Sequence, residues 1–234
     1  MERPLVIFDV DGTLADSVEL DDRVYRATLA SVYGLDPGAG AFAAFRNVTD
    51  SGILEDLFLE RFGRGPSPAE VHTFVRRFGA AITRELSAAG CRPIAGAGRL
   101  LDALRQSSRW RVELATGGFS ATARLKLAAA GIVWERWFAS ADDALSREEI
   151  VALAMARGGG SRVSTVLVGD AAWDARTARR LGIAFVGVAP LRTAARLRVL
   201  GAEAVVPDFR ERRRVLEILE AAVQRGPVAV PAAR

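Results

Sequence analysis

The sequence contains few of the residues that form disulfides or nitrogen- and sulfur-ligated metal sites. Among its 234 residues, Cys91 is the only cysteine and His72 the only histidine. A single cysteine excludes an intramolecular disulfide and a cysteine-rich zinc site. A single histidine, without a second one to share a metal, favours a structural or exposed role over metal ligation.

Long apolar segments are also missing. No run reaches the roughly 18 apolar residues that a membrane-spanning helix needs. The N-terminus lacks the series of charged region, apolar segment and small-residue cleavage site that defines a signal peptide. We therefore expect a cytoplasmic protein with no membrane partner.

Lysine is nearly absent, although the chain is basic. Its 32 basic and 28 acidic residues give a net charge of +4 and a pI of about 10.1, and Lys126 is the only lysine. Arginine does not lose its proton in the relevant range, so it raises the pI without a large basic excess. No aromatic-and-basic motif accompanies the arginines, and we predict no nucleic-acid partner.

The second half of the chain alternates between strand-like and helix-like segments. A first strand covers residues 5–8. Further strands are predicted over residues 111–115, 137–139, 163–168, 185–188 and 204–206, and helices over residues 120–130, 147–157, 175–181 and 210–224. This alternation predicts an α/β fold, a Rossmann-like parallel sheet covered by helices on both faces.

The region between the first strand and Cys91 has a helical pattern throughout. Apolar residues recur at a spacing of four, and residues 67–70 form a capping box with proline at the first helical position. We predict a helical cap domain over residues 15–91, inserted into a core domain formed by residues 1–14 and 92–225. Residues 226–234 lack periodicity and are predicted to be a disordered tail.

The strongest chemical signal is a pair of acids, Asp9 and Asp11, directly after the first strand. Ligands bind at the carboxyl ends of strands in open parallel sheets. Gly12 permits a tight turn and close approach of backbone N–H groups to an anion. Two neighbouring carboxylates repel each other, so we expect a cation, and oxygen ligands suit Mg²⁺.

A second pair of acids, Asp170 and Asp174, follows the buried strand predicted over residues 163–168. Their spacing of four lets them share one helix face, and they would complete an acidic metal site with Asp9. The alternative is that Asp170 caps the following helix, since acids favour helix N-termini.

Two weaker signals point to anion binding. Thr116 and Gly117 follow the strand at residues 111–115, and a hydroxyl with glycine N–H groups at a helix start forms an anion site. Arg147 begins a helix and would present a cation to a phosphate. The alternatives are an ordinary turn and a surface arginine.

Taken together, these four motifs resemble those of the haloacid dehalogenase superfamily, and the inserted helices resemble the cap of its phosphoglycolate-phosphatase-like members. The resemblance implies a Mg²⁺-dependent phosphatase in which Asp9 forms an aspartyl phosphate and Asp11 is the general acid and base. It implies a metal site formed by Asp9, the Asp11 carbonyl and Asp170, with Asp174 behind these ligands. It also implies a phosphate site formed by Thr116, the N–H of Gly117 and Arg147.

Two positions depart from the superfamily pattern. The residue after Thr116 is usually asparagine, whereas here it is Gly117, and the third motif is usually lysine, whereas here Arg147 stands 23 residues before Asp170. Arginine keeps the charge and changes the geometry. Lys126 is a rival for the third motif, but we interpret it as a surface residue.

The predicted substrate is a small phosphorylated metabolite. Asn47, Thr49 and Asp50, near a loop of the cap, are candidates for substrate contact, with a helix N-cap as the alternative. A phosphomutase on the same scaffold and a non-catalytic phosphoryl-binding protein stay open as functions. Asp11 argues against a dehalogenase, because halide leaves without a proton. The substrate's identity and the oligomeric state stay open.

Overall fold

A computed structural model describes residues 3–38 and 41–226, except for the side chain of Ala43. Most of the predicted tail, residues 227–234, lies outside them. No helix in the described ranges is both long and apolar enough to span a membrane. The elements are β1 (Leu5–Phe8), α1 (Val18–Tyr33), a 3₁₀ turn (Ala41–Ala44), α2 (Asp50–Phe62), α3 (Pro68–Ala89), α4 (Ala97–Gln106), β2 (Arg111–Leu114), α5 (Ser120–Ala129), α6 (Arg147–Gly158), β3 (Thr165–Gly169), α7 (Ala172–Leu181), β4 (Ala184–Val188), α8 (Leu191–Val199), β5 (Ala204–Val206) and α9 (Arg212–Arg225).

The five strands form one parallel sheet in the order β2-β1-β3-β4-β5. β1 lies in its interior, and Phe8 at its end is level with Leu114 of β2 and Val168 of β3. The predicted α/β, Rossmann-like fold is therefore confirmed. The register brings the carboxyl ends of these three strands to the same rim of the sheet.

Helices cover both faces of the sheet. Val6 and Phe8 of β1 pack in a core with α4, α5 and α9, whereas Leu5 and Ile7 pack in a second core with α6, α7 and α8. Successive side chains of a strand point to opposite faces. A strand buried on both faces must therefore be apolar throughout, which explains the uninterrupted apolar run over residues 5–8.

α1, α2 and α3, which we call the cap helices, pack around an aromatic cluster of their own. The ring centroid of Tyr25 lies 4.9 Å from that of Phe74 and 5.3 Å from that of Phe78, in edge-to-face geometry that favours aromatic pairs. Phe119 and Ala141 of the α/β part also join this cluster. The helical pattern read from the sequence is present, and the exact domain boundaries stay a prediction.

The capping box that begins α3 gives a stability prediction. The Ser67 hydroxyl accepts a hydrogen bond from the Glu70 N–H, and the Glu70 carboxylate accepts one from the Ser67 N–H. We expect Ser67→Ala to lower the free energy of unfolding by about 1 kcal/mol, measured by urea denaturation. Thr73→Ala is the control, because that hydroxyl bonds back to the Ala69 carbonyl within the helix. An equal loss in both variants would contradict the capping role.

Some local predictions were wrong. Residues 137–139 do not form a strand, since only Ala139 makes an isolated bridge, to Ala115. Val163, predicted to begin the strand over residues 163–168, lies outside β3 and is 63% exposed. α4 and α8 were not predicted: the N-caps Gly96 and Pro190 make no side-chain capping bond, so the usual start signal is missing.

Candidate active site

Loops that follow three neighbouring strands meet at the carboxyl rim of the sheet. Asp9 follows β1, Thr116 closely follows β2, and Asp170 follows β3. All three line one cavity of about 350 Å³, together with Asp11 and Arg147. This is where open parallel sheets bind ligands, and the acids of positions 9, 11 and 170 are brought together there.

Asp9 lies at the bottom of this cavity with 3% of its surface exposed. Its Oδ1 accepts a hydrogen bond from Arg147 Nη2 at 2.6 Å, and its Oδ2 accepts one from Thr13 Oγ1 at 3.4 Å. Burial raises the pKa of Asp9 well above its ordinary value, although the positive charge of Arg147 opposes this rise. A further cation beside this carboxyl would favour its ionised form.

The carboxylates of Asp9, Asp170 and Asp174 form a cluster suited to a metal ion. One oxygen atom of each lies within 4.8 Å of the others. Burial, followed by the charge of Asp174, raises the pKa of Asp170 to about 8. Three acids held together in a low-dielectric site are stabilised by a divalent cation, and an all-oxygen donor set fits Mg²⁺.

Asp174 is buried and has a protein donor on each carboxylate oxygen. Its Oδ1 accepts a hydrogen bond from Arg147 Nε at 2.8 Å, and its Oδ2 accepts one from the Ala171 N–H at 3.0 Å. Both oxygens therefore already have protein donors. The position of Asp174 behind the metal ligands stays a prediction.

Gly12 allows the loop after β1 to approach Asp170. Its φ angle of +76° lies in the left-handed region that glycine adopts without a steric penalty. A Cβ at this position would also overlap the Asp170 carboxylate. Glycine is thus required here both by the backbone conformation and by the close contact between the two acidic loops.

The loop after β2 supplies the phosphate-binding candidates. The buried Thr116 hydroxyl accepts a hydrogen bond from the Gly118 N–H at 3.1 Å, just before α5 begins at Ser120. Gly117 and Gly118 line the cavity, and Gly117 lies against the Arg147 guanidinium. The structure therefore brings Thr116, Gly117 and Arg147 together beside Asp9.

Asp11 accepts hydrogen bonds from two side chains, Ser17 and Lys126. Ser17 Oγ donates to Asp11 Oδ1 at 2.5 Å, and Lys126 Nζ lies 2.7 Å from the same carboxylate and 2.5 Å from Asp21 of α1. The interpretation of Lys126 as a surface residue was wrong, because its side chain is fully buried. The sequence did contain a signal for its burial, because its spacing from Ala123 and Leu127 places it with them on the buried face of α5.

Lys126 carries its charge in this buried position because acids surround it. Burial opposes ionisation, but the carboxylates of Asp11, Asp21 and Asp50 together raise its pKa above the ordinary value. Burial also raises the pKa of Asp21, to about 6, and Lys126 opposes that rise. The ammonium group thus links Asp11 of the α/β core to α1 of the cap helices.

The three candidate substrate residues occupy different positions. Thr49 lines the cavity that contains Asp9. It is also the N-cap of α2, accepting from the Gly52 N–H, and donates to the Leu145 carbonyl. Asp50 lines the cavity, and its Oδ2 accepts from the Phe119 N–H at 2.9 Å. Asn47 lines a neighbouring cavity, shared with arginines 46, 176 and 180, rather than the one that contains Asp9.

Fold and site together define an α/β protein with a carboxylate-rich centre and a basic side chain at the carboxyl rim of its sheet. The family model described as haloacid dehalogenase-like hydrolase matches residues 4–182, so the chain belongs to this family of hydrolases. The resemblance inferred from the four motifs is confirmed. No curated protein matches the chain.

Solved structures share the fold over nearly the whole chain. A hydrolase from Pseudomonas syringae has a TM-score of 0.72 and 22% identity, covering 92% of this chain and 98% of its own. A putative beta-phosphoglucomutase from Bacteroides vulgatus has a TM-score of 0.71 and 18% identity, covering 95% and 91%. CbbY from Rhodobacter sphaeroides, in complex with phosphate, has a TM-score of 0.66 and 18% identity, covering 90% and 96%.

Proposed function

We propose that this hydrolase is a Mg²⁺-dependent phosphatase that cleaves a small phosphorylated metabolite through an aspartyl phosphate on Asp9. The observation that carries the proposal is the position of the Asp9 carboxylate. It lies in one cavity with Asp11, Asp170, the Arg147 guanidinium and the glycine-containing loop after Thr116. The phosphate bound to CbbY from Rhodobacter sphaeroides supports a phosphoryl ligand for this fold.

The first half of the reaction uses Asp9 and Asp11. A carboxylate oxygen of Asp9 attacks phosphorus, a new O–P bond forms, and the bond from phosphorus to the ester oxygen breaks. Asp11 gives its proton to the departing alkoxide. Thr116, the Gly117 N–H and Arg147 bind the phosphoryl oxygens, whose negative charge Arg147 offsets.

The second half returns the enzyme to its starting state. Asp11, now a carboxylate, takes a proton from a water molecule that attacks phosphorus. The bond between Asp9 and phosphorus breaks, and inorganic phosphate leaves. Asp9, Asp170 and the Asp11 carbonyl would hold Mg²⁺, which would supply positive charge to the phosphoryl group, and Asp174 would orient this site.

The lining of the cavity favours a hydrolase over a phosphomutase. In the described part of the chain, Arg147 is the only basic side chain that lines it, whereas the cap helices contribute Glu19, Asp21, Asp22 and Asp50. A bisphosphate intermediate needs a second cation for its second phosphate. Product analysis with a sugar phosphate tests this choice: inorganic phosphate supports the hydrolase, and an isomeric sugar phosphate supports the mutase.

Metal removal tests the proposal. With p-nitrophenyl phosphate as substrate, we expect EDTA to abolish hydrolysis and added MgCl₂ to restore it, because the acids need a cation to bind an anionic substrate. Release of p-nitrophenolate is the measurement, and CaCl₂ serves as a comparison for ligand geometry. Hydrolysis that continues unchanged in metal-free buffer would contradict the metal requirement.

A further inference from the structure

Gly117 lies where a side chain would collide with Arg147. A Cβ built on Gly117 would overlap Arg147 Nη1, and it would lie 3.0 Å from the Val48 carbonyl oxygen and 3.5 Å from Arg147 Cζ. The φ angle of Gly117 is not in the left-handed region. Glycine is therefore required at this position by space and not by backbone conformation.

Arg147 cannot easily move away from this contact. Its Nε donates to Asp174 at 2.8 Å, its Nη2 donates to Asp9 at 2.6 Å, and only 8% of its surface is exposed. Charge-assisted bonds in a buried site are costly to break, because they leave uncompensated charges behind. The guanidinium is fixed in orientation by two acids of the active site.

The third nitrogen of the guanidinium is available to a ligand. Within residues 3–38 and 41–226, Arg147 Nη1 has no hydrogen-bond partner, and Arg147 lines the cavity that contains Asp9. It occupies the space beside Gly117, next to the loop that carries Thr116. A donor left over in this way is placed to bind a phosphoryl oxygen, as an arginine does with anions.

We propose that Gly117 and Arg147 form an interdependent pair. The missing side chain at 117 makes room for the guanidinium, and Arg147 Nη1 then contacts the phosphoryl group in place of a side chain at 117. Gly117 is thus a positioning residue for Arg147. The second half of this proposal, the phosphoryl contact, rests on the proposed function, whereas the first half, the packing, does not.

A double-mutant cycle tests the pairing through stability. We compare the wild type, Gly117→Asn, Arg147→Lys and the double variant by thermal unfolding of the full chain. Overpacking a buried contact lowers the melting temperature of a chain of this size by roughly 3 °C or more. We expect this drop when asparagine is added beside Arg147, and a much smaller one when it is added beside the unbranched lysine. Equal drops in both backgrounds would overturn the pairing.

Two further variants are needed to interpret the double-mutant cycle. Gly118→Ala is the matched control, because a Cβ there has its nearest neighbours at 3.5–3.6 Å, an ordinary van der Waals distance. It should leave the melting temperature unchanged. Gly117→Ala replaces Gly117→Asn if the larger residue prevents folding, since the overlap begins at Cβ. A melting temperature unaffected by Gly117→Ala would also overturn the pairing.

The phosphoryl contact is tested with inorganic phosphate and MgCl₂, by titration calorimetry, and with p-nitrophenyl phosphate. Displacing a positioned group by about 1 Å can cost on the order of 100-fold in rate. We expect a loss of this size in kcat/KM for Gly117→Asn, weaker phosphate binding, and partial recovery of both in the double variant. If the two substitutions interact in their effect on melting temperature but phosphate affinity is unchanged, the phosphoryl contact of Arg147 would be overturned and the packing of Gly117 against Arg147 would stand. Absence of hydrolysis in the wild type would refute the proposed function alone.

Discussion

Replacing Asp9 with asparagine is expected to abolish phosphate-ester hydrolysis. The amide has nearly the same shape, and its oxygen can still accept from Arg147 Nη2, which is 2.6 Å from Asp9 Oδ1. It is a far weaker nucleophile than a carboxylate, so the covalent step is lost. Removal of a covalent nucleophile lowers kcat by roughly 10⁴-fold or more. Release of p-nitrophenolate by purified protein with MgCl₂ is the measurement.

The control for this variant is Asp16→Asn, which makes the same chemical change seven residues further along the chain. The Asp16 side chain is exposed, and among the described residues it pairs only with Arg92, at 3.2 Å. Its activity should stay within about twofold of the wild type, as surface changes rarely disturb a protein. An Asp9→Asn protein that remains folded and retains a tenth of the activity would rule out Asp9 as the nucleophile.

Covalent trapping separates a nucleophile from a residue that only binds metal. Acid quenching during turnover should preserve the phosphorylated chain for intact-mass spectrometry in the wild type, and no such species should form with Asp9→Asn. A phosphorylated chain in that variant would assign the nucleophile to another residue. Because a lost metal ion would also prevent this species from forming, fragmentation of the trapped wild-type chain must place the phosphoryl group on Asp9.

The acidic centre was predictable because its aspartates directly follow the short apolar segments that form the buried strands. Ile7 and Phe8 face opposite sides of the sheet and both are apolar, which marks a strand buried on both faces, so Asp9 had to lie at a strand end. The parallel sheet then brought Asp170 to the same rim, because β3 pairs with β1 in register. Local sequence was enough where a residue's position follows from the strand it terminates.

The contacts of Lys126 and Gly117 depend on tertiary packing and were not predictable in this way. Lys126 pairs with Asp21, which lies 105 residues away on a cap helix. The overlap that excludes a side chain at 117 involves Arg147 from α6. Gly117 and Arg147 were visible as two departures from the superfamily pattern, but only their contact shows that one departure makes room for the other.

Lys126→Met is expected to destabilise the fold strongly. Methionine keeps most of the apolar stem but removes the ammonium group that lies 2.7 Å from Asp11 and 2.5 Å from Asp21. Removing one partner of a buried ion pair leaves an uncompensated charge and costs about 3 kcal/mol or more. The lower end of that range applies because the two carboxylates are 20% and 18% exposed. The free energy of unfolding from urea titration measures the loss.

The size of this loss should depend on pH in a defined direction. Asp21 has a native pKa of about 6, above its ordinary value, because burial disfavours the carboxylate more than Lys126 favours it. A carboxyl group with a raised native pKa binds more protons when folded, so stability falls as the pH rises through that range. Without Lys126 the pKa rises further, and the fall continues to higher pH. We therefore expect a larger loss at pH 8 than at pH 5.

Asp21→Asn in the same background decides whether charge is the cause. In Lys126→Met it removes one unpaired carboxylate, so the double variant should recover part of the stability at pH 8. In the wild type the same substitution takes a partner from the buried ammonium group and should destabilise. If the double variant loses as much stability as the two single variants combined, the effect of Lys126→Met comes from packing of the lysine stem. A recovery confined to high pH would identify Lys126 as the charge that holds the cap helix α1 and Asp11 together.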